Sequence, residues 1–390
     1  MTNQKPPEET APAKRASMKN NEARYIMIGG FLGAGKTTAV ARLAQWLAQR
    51  HLRVGLITND QGSHLVDTNM LSAHGFQVEE IPGGCFCCRF NSLVDAARRL
   101  AATCQPEVFI AEPVGSCTDL AATVTYPLRQ LYGDNFTIAP LSVLIDPFRA
   151  MKILGLESGQ TFSDKVIYIY RKQLEEADII VINKADLLTE EKTKSLQSTL
   201  AKEFPKARIF TISARNGIGL EDWFQLISTT KQEPRPTMEV DYQVYADGEA
   251  LLGWLNTTLQ LKSQKAFDAN KMLKHLALLI QQRLNAAGAE VAHLKMTLDS
   301  KNLLGDLAVI NLVRNDFVPE LSLNLKDPFQ TGELTINMRA ETSPEILRDT
   351  VKSAVEETLK LYPASAMTEH LEFFRPGKPS PTHRVKTSQI

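Results

Sequence analysis

Residues 30–38 read GFLGAGKTT and follow the short apolar run RYIMI at residues 24–28. Glycines in this pattern let the backbone wrap closely around anionic oxygens, so that N–H groups and the next helix start point at phosphates. Lys36 is expected on the β and γ oxygens, and the Thr37 hydroxyl at a position that coordinates Mg²⁺. A glycine-rich turn before an ordinary helix is the alternative, but the strand, loop and helix context favours phosphate binding. The residues assigned to this site are Gly30, Gly33, Ala34, Gly35, Lys36, Thr37 and Thr38.

The region around this loop alternates short β-branched runs with helical stretches from Ala23 to about Ile227. A parallel sheet with crossover helices requires such alternation. The apolar runs are RYIMI, VGLIT, VFIA, LSVLID, DIIVIN and ARIFTIS. Apolar residues recur at helical intervals in residues 36–50, 91–103 and 190–203. The sequence therefore predicts an α/β fold with a doubly wound, mostly parallel sheet.

A second motif, NKAD, begins at Asn183 and follows one of these apolar runs. The Asp186 carboxylate can accept two parallel hydrogen bonds from the N1–H and exocyclic amine of guanine, a donor pair that adenine does not present. Asn183 is expected to contact the base or a neighbouring loop, and Lys184 to lay its stem along the ring. A polar loop that caps the next helix is the alternative, but together with the phosphate loop the motif favours GTP over ATP. The residues assigned to the base pocket are Asn183, Lys184, Asp186, Ser213 and Ala214.

Composition and charge limit the classes of partner. The 390-residue chain has 44 Lys and Arg against 44 Asp and Glu, so its formal net charge of zero gives no general attraction to nucleic acid or anionic membranes. No apolar stretch reaches the roughly 20 residues that a bilayer crossing needs. The first residues also lack the apolar run of a secretory signal. We therefore expect a cytoplasmic protein that binds neither nucleic acid nor membrane.

The C-terminal part of the sequence follows a different pattern. KQEPRPT at residues 231–237 holds two prolines among polar residues, which predicts an extended linker. Beyond it, apolar and polar residues alternate around Met296 and Ile336, which predicts two half-buried strands. Helical patterns follow Asp268 and Ser343. The predicted organisation is a disordered tail at 1–22, a nucleotide-binding domain at 23–230, a linker at 231–239, a smaller C-terminal α+β domain for a client or for regulation at 240–373, and a loose tail at 374–390.

Three of the five cysteines crowd into EIPGGCFCC at residues 80–88. The thiolates of Cys85, Cys87 and Cys88 can all turn toward one cation such as Zn²⁺, Co²⁺, Ni²⁺ or Cu⁺. Three protein ligands leave a tetrahedral ion one position short, which suits a site that loads and releases metal better than a closed structural one. Redox-active vicinal thiols and an inert buried cluster are the alternatives.

With its motifs in this order, the sequence from about Ala23 to Leu226 resembles the CobW-type GTPases, relatives of the GTPases that deliver nickel to hydrogenase and urease. The family places a glycine-preceded Cys-x-Cys-Cys between the phosphate loop and a Glu-x-x-Gly motif, which Glu112 and Gly115 match. The first switch motif of the family consists of Asn, an acidic residue, any residue and Gly, and an Asp follows five positions after the Gly. The matching residues are Asn59, Asp60, Gly62 and Asp67.

The resemblance implies roles for two acidic residues. Asp67 and Glu112 would hold Mg²⁺, together with Thr37, and the attacking water around the γ-phosphate. With Lys36 they would form the catalytic set. The cysteines would bind the cargo metal, and the switch segments on either side would tighten or loosen it as γ-phosphate contacts form and break.

Several residues depart from the family pattern or stay secondary candidates. Pro113 stands where the family usually has a small hydroxyl residue, so the rate or coupling of hydrolysis is expected to differ. Cys117 and His64 remain candidate ligands, whereas Cys104 is predicted to fill space. His293 lies opposite the apolar alternation of its strand and is expected to be solvated or hydrogen-bonded and not a ligand.

Three functions are compatible with this pattern. The leading hypothesis is a GTP-hydrolysing metallochaperone that binds Zn²⁺, Co²⁺ or Ni²⁺ and releases it to a client metalloprotein, with a nucleotide-dependent homodimer among its assemblies. The first alternative is a GTP-dependent switch that maintains a cofactor enzyme, for example a corrinoid enzyme, with structural thiols. The second is a non-enzymatic metal buffer or sensor, against which the complete phosphate and base motifs argue.

Overall fold

The computed structural model describes residues 22–59, 71, 75–133, 135–300 and 306–386, which form two β-sheets with flanking helices. The predicted tail at residues 1–21 and the switch residues Asp60, Gly62, His64 and Asp67 lie outside the described part of the chain. Within the described ranges, no helix combines the length and the apolar character that a membrane crossing requires.

The first sheet is parallel throughout its described pairs and follows the order β3-β2-β4-β1-β6-β7-β8, with β5 paired to β1. Its strands are β1 (Ala23–Gly30), β2 (Val54–Asn59), β3 (Gln77–Ile81), β4 (Val108–Glu112), β5 (Phe136–Ile138), β6 (Ser142–Ile145), β7 (Ile179–Ile182) and β8 (Arg208–Thr211). Its α-helices are α1 (Lys36–Ala48), α2 (Phe90–Thr103), α3 (Tyr126–Tyr132), α4 (Pro147–Ile153), α5 (Asp164–Glu176), α6 (Glu190–Glu203) and α7 (Leu220–Thr229). The predicted doubly wound α/β fold is confirmed.

The central strands are buried on both faces, which explains why their sequences are continuously apolar. In β1, Tyr25 and Met27 join one core, whereas Ile26 and Ile28 join the core on the opposite face. The sequence did not predict β3 or β5. The strand β3 reads QVEEI at the edge of the sheet, and β5 has only three residues, so neither carries a strong apolar signal.

The second sheet is antiparallel and follows the order β12-β11-β10-β13-β9-β14. Its strands are β9 (Leu252–Phe267), β10 (Glu290–Asp299), β11 (Leu307–Leu312), β12 (Glu320–Leu323), β13 (Phe329–Glu341) and β14 (Ala364–Phe374). The accompanying helices are α8 (Tyr242–Leu251), α9 (Ala269–Ala286) and α10 (Pro344–Leu361). Asp268 and Ser343 cap α9 and α10 by accepting backbone N–H bonds, and both helices pack on one face of the sheet.

The prediction of half-buried strands in this sheet is wrong. Three polar residues in the predicted part of β13 are buried as deeply as the apolar residues between them: Thr335 is 2% exposed, Asn337 3% and Arg339 0%. Their face is turned toward the nucleotide-binding half of the chain, and Trp254 on β9 joins the core of that half. Arg339 donates hydrogen bonds to Asn256 Oδ1 at 2.8 Å and to Leu255 O at 2.9 Å, so part of its buried guanidinium is hydrogen-bonded. The polar face is thus an internal surface.

The segments predicted as linker and tail have no regular structure over residues 230–241 and 375–386. The first of these segments is tied to the parallel sheet, since Arg235 pairs with Asp178 and its N–H donates to Tyr126 Oη at 2.9 Å. The second packs on the loop that carries Cys85, Cys87 and Cys88. The domain boundary at residues 231–239 remains a prediction.

Candidate functional site

The phosphate loop connects β1 to α1 and depends on glycine at two positions. Gly30 has φ +130°, and a Cβ there would lie 2.2 Å from Leu144 O. Gly35 has φ +89°, and a Cβ there would lie 2.4 Å from Asn183 Nδ2. Side chains are excluded at both positions by conformation and by space. The Lys36 ammonium reaches back to Gly30 O at 3.0 Å.

Two of the three predicted magnesium ligands, Thr37 and Glu112, meet at the end of this loop. Thr37 Oγ1 donates to Glu112 Oε1 at 3.0 Å, and both residues are 5% exposed. A hydroxyl and a carboxylate side by side form the hard oxygen donor set that Mg²⁺ prefers. The residues present therefore fit the ion.

The base-reading loop is connected to the phosphate loop by side chains. Asn183 donates to Ala34 O at 2.9 Å and accepts from Ala214 N at 3.0 Å. Its amide therefore contacts neighbouring loops, which is one of the two contacts expected for it. Lys184 donates to Gly33 O at 2.7 Å and to Asp146 Oδ2 at 2.8 Å. The exposed Asp186 stands at the wall of the cavity.

One cavity of about 540 Å³ collects these groups between the two sheets. Its volume lies within the range of roughly 300–1,000 Å³ that ligand pockets occupy. All described residues of the predicted phosphate and base sites line it except Gly30 and Ala34, whose carbonyls hold Lys36 and Asn183 in place. Glu112 also lines the cavity.

The three clustered cysteines lie on the loop between β3 and α2. Cys85 Sγ is 2.6 Å from Cys87 Sγ and 3.2 Å from Cys88 Sγ, and the three sulfurs lie within 4.8 Å of one another. A turn gathers them, because the Cys88 and Arg89 N–H groups both donate to Cys85 O. Cys85 and Cys87 are buried and Cys88 is half-buried. The sulfurs could therefore turn toward one thiophilic ion.

A fourth thiol lies beside this cluster but outside the group of three sulfurs that are within 4.8 Å of one another. Cys117, which is 1% exposed, interacts through its thiol with Cys85 and Cys87. Contacts with Cys117, Cys87 and Cys88 hold the pKa of the Cys85 thiol well below its usual range. The contact with Cys85 raises the pKa of Cys88 to about 11. The cluster therefore favours one thiolate surrounded by protonated thiols. Cys104 lies elsewhere, bonded to Leu100 O at the end of α2.

Two connections join the nucleotide cavity to the cysteine loop. Asn59, the last residue of β2, lines the cavity and donates to Gly84 O at 2.6 Å, next to Cys85. The loop after β4 carries Glu112 at its start and Cys117 five positions later. Gln173 holds this loop by donating to Gly115 O at 2.9 Å and Cys117 O at 2.8 Å.

A buried glutamate stands beside the sulfurs, and the sequence pattern did not identify it. Glu249 on α8 is 1% exposed and accepts from Ser116 Oγ at 2.6 Å. Burial, with the nearby Cys85 charge, raises the pKa of its carboxyl to about 8. The residue comes from beyond the predicted linker, so only the tertiary structure brings it to Cys117.

The segment 375–386 covers the exposed side of the cysteine loop. Ser380 N lies 3.2 Å from Cys88 Sγ, and Thr382 N donates to Cys87 O at 2.8 Å. His383 packs edge-on against Phe90, with ring centroids 4.9 Å apart. The prediction of a loose tail missed these contacts.

Lys295 and His293 are among the residues of the second sheet that line the nucleotide cavity, and sequence reasoning did not assign them there. Lys295 Nζ donates to Thr37 Oγ1 at 3.3 Å. His293 is 7% exposed and lines the same cavity, so of the two expected environments the solvated one is wrong, whereas a hydrogen-bonded residue that is not a ligand stays a prediction. Burial and the charges of Lys295, Arg339 and Lys36 lower the pKa of His293, which keeps its imidazole neutral.

Comparison with known proteins agrees with the motifs. Residues 24–211 match the family described as CobW/HypB/UreG, nucleotide-binding domain. The chain is 30% identical over 179 residues to "Zinc chaperone YeiR" of Escherichia coli (strain K12), with 45% of this chain and 50% of that protein covered. It is 24% identical over 211 residues to "Zinc-regulated GTPase metalloprotein activator 1" of Dictyostelium discoideum, with 47% and 44% covered. It is 25% identical over 210 residues to "Zinc chaperone CobW" of a Sinorhizobium species, with 49% and 58% covered. The chain thus spans about half the length of the curated relatives it matches.

Proposed function

We propose that this chain, whose residues 24–211 form a CobW/HypB/UreG nucleotide-binding domain, binds and hydrolyses GTP in order to control a transition metal held by its cysteines. In this proposal the metal is cargo, which the protein releases to a client metalloprotein when the nucleotide state changes. Zn²⁺ is the first choice of cargo, because relatives of the chain are named zinc chaperones. Co²⁺ and Ni²⁺ suit the same thiols.

The nucleotide part of the proposal rests on the cavity. Asp186 would read guanine, and Lys36 would hold the phosphates at the start of α1, where the helix dipole favours negative charge. Thr37 and Glu112 would hold Mg²⁺, with Asp67 as a further ligand. When bound, Mg²⁺ would supply positive charge to the terminal phosphates.

The single observation that carries the metal part is the contact between Asn59 and the cysteine loop. Asn59 ends the strand that leads into the first switch, and its amide bonds Gly84 O at 2.6 Å. Any shift of Asn59 on binding a γ-phosphate would therefore be transmitted to Cys85. Glu112 and Cys117 provide a second route along one loop. A cargo site connected in this way would change its affinity with the nucleotide state.

The thiols would hold the cargo through Cys85, Cys87 and Cys88, with Cys117 as the fourth donor. Four sulfurs complete a tetrahedral shell around Zn²⁺. Release would then require the shell to open, and the loop that bears Cys117 begins at Glu112 beside the expected γ-phosphate.

A GTP-dependent switch with structural thiols is the second candidate function. The buried positions of Cys85, Cys87 and Cys117 favour it, because a closed four-sulfur site is typical of structural zinc. The two functions differ in whether the metal exchanges during the nucleotide cycle.

A turnover experiment tests the enzymatic part of the proposal. The purified full-length chain should hydrolyse GTP with Mg²⁺, with ATP a much poorer substrate, and Lys36→Ala should abolish the activity. Turnover of wild type no higher than that of Lys36→Ala would leave only a metal buffer or sensor. Retention of Zn²⁺ through many turnovers in the presence of a chelator would favour the structural role of the thiols.

A further inference from the structure

The second sheet directs one lysine at the phosphate end of the nucleotide cavity. Lys295 lies within β10, paired with Asn311 on β11 and Asn337 on β13, so its backbone is held from both sides. The half-buried side chain reaches across to the phosphate loop, where its ammonium donates to Thr37 Oγ1 at 3.3 Å. Lys295 therefore stands beside the hydroxyl expected to bind Mg²⁺.

The position of β10 against the phosphate loop is fixed by a buried arginine. Arg149 is 3% exposed and donates to Leu32 O at 2.6 Å on the phosphate loop. The same guanidinium donates to Ala292 O at 3.2 Å, three residues before Lys295. One charged group thus satisfies carbonyls of the phosphate loop and of the second sheet at once, and its removal would leave several buried acceptors unpaired.

A second ionic connection holds the following segment. Arg314, just after β11, donates to Asp146 Oδ1 at 3.1 Å. The other oxygen of Asp146 accepts from Lys184 of the base-reading motif at 2.8 Å. Flanking cations hold the pKa of the Asp146 carboxyl below its usual range, so the contact is ionic at neutral pH. The second sheet is therefore attached at both the phosphate end and the base end of the cavity.

Lys295 and Lys36 face the same space. The charges of both ammonium groups lower the pKa of His293, which lines the cavity between the sheets. Two ammonium groups directed at one cavity favour the binding of an anion there. The terminal phosphate of a bound nucleotide is such an anion, and Lys36 is the residue expected to contact its oxygens from the phosphate loop.

We infer, on the basis of the proposed function, that Lys295 is a phosphate-binding catalytic residue that the second sheet supplies in cis to the γ-phosphate of GTP. In hydrolysis the water oxygen bonds to the γ-phosphorus as the bond to the β–γ bridging oxygen breaks, giving GDP and inorganic phosphate. Negative charge spreads over the transferred oxygens in that transition state, and a fixed ammonium stabilises it. The second sheet then senses whether the γ-phosphate is present.

Nucleotide binding separates this role from a structural one. Equilibrium dissociation constants for GDP and GTPγS, each with Mg²⁺, are measured on full-length wild type, Lys295→Ala and Lys295→Arg. We expect Lys295→Ala to weaken GTPγS binding about tenfold or more while GDP binding changes less than about twofold, because GDP lacks the γ-phosphate. Lys295→Arg should restore most of the GTPγS affinity. The rate constant for single-turnover GTP hydrolysis should be about 100-fold lower in Lys295→Ala than in wild type.

Lys262→Ala is the matched control, since Lys262 is exposed on β9 of the same sheet. It should bind both nucleotides as wild type does. Equal losses of GDP and GTPγS affinity in Lys295→Ala would overturn the inference, because they would show that Lys295 makes no contact specific to the γ-phosphate. A gain in Mg²⁺ affinity with an unchanged ratio of GTPγS to GDP affinity would also overturn it. The ratio of GTPγS to GDP affinity can be measured even if wild type does not hydrolyse GTP. Failure of the proposed function can therefore be distinguished from failure of the inference about Lys295.

Discussion

The side-chain amide of Asn59 lies 2.6 Å from the carbonyl oxygen of Gly84, and its second bond, to Ile81 O at 2.9 Å, anchors it to the end of β3. The residue is 7% exposed. Through it, the end of β2 at the nucleotide cavity holds the residue before the first cysteine of the cluster. The contact thus connects the two candidate sites directly.

Asn59→Ala should uncouple metal binding from the nucleotide state. Removing the amide leaves the carbonyls of Ile81 and Gly84 without this donor, so the cysteine loop no longer follows β2. We expect the ratio of Zn²⁺ affinities in the GTP and GDP states to fall toward one, with GDP affinity nearly unchanged. Asn285→Ala, at an exposed position on α9, is the control. A ratio identical to that of wild type would exclude Asn59 as the connection.

Asp186→Asn should change the base preference. The carboxylate accepts from two guanine donors, and losing charge-assisted bonds of about 1.5–3 kcal/mol should weaken GTP binding about 10- to 100-fold. Xanthine carries an oxygen where guanine carries its exocyclic amine, so the new amide should bind xanthosine triphosphate better than wild type does. Nucleotide titrations on both proteins check this, with the exposed Asp222→Asn as control. Undiminished GTP affinity would rule out Asp186 as the base reader.

Cys117→Ser should weaken the metal site. Serine replaces a soft sulfur by a poor ligand for Zn²⁺, so we expect affinity to fall about tenfold or more in a chelator competition. The thiolate-to-metal absorption of the Co²⁺ form should also lose intensity. Cys104→Ser is the matched control, because Cys104 lies outside the cluster. If both variants bind Co²⁺ with the wild-type spectrum, Cys117 is not a ligand.

Glu249→Gln should change how stability depends on pH. A carboxyl whose pKa rises from an unfolded value near 4.5 to about 8 in the folded protein keeps its proton more tightly in the folded state. The stabilising contribution of this carboxyl to the free energy of unfolding is therefore complete below pH 4.5, and it is lost as the pH rises from about 4.5 to 8. The neutral glutamine should flatten this slope and stabilise the metal-free protein near pH 8 by a few kcal/mol. Urea unfolding of wild type and Glu249→Gln across this pH range measures the free energy of unfolding. The same pH dependence in both proteins would show that Glu249 is ionised in the folded state.

The phosphate and base motifs could be predicted because each contains, within a few consecutive residues, the residue types that binding requires. GFLGAGKTT and NKAD carry their glycines, lysines and carboxylate at fixed spacings, and the structure brings them to one cavity. The continuous apolar runs identified the central strands for the same reason, since each strand is buried on both faces.

The remaining features depend on long-range contacts that no local pattern contains. In the sequence, Lys295 is a polar residue in a strand where apolar and polar residues alternate. This alternation is the same whether the polar face of the strand contacts water or another sheet. Glu249 and Ser380 come from distant parts of the chain, and only folding places them against Cys85 and Cys88. Cys117 was a candidate by its proximity to Glu112, but its contact with Cys85 required the turn of the loop.

The central claim is that the nucleotide state sets the affinity of the cysteine site. The measurement is a chelator-competition titration of Zn²⁺ and Co²⁺ on the purified chain, with Mg²⁺ and either GDP or a non-hydrolysable GTP analogue. We predict binding about tenfold or more tighter in the GTP state, within the usual range of allosteric coupling, and no such difference in the variant with Cys85, Cys87 and Cys88 all changed to Ser. Equal metal affinities in the two nucleotide states of the wild-type protein would contradict the claim.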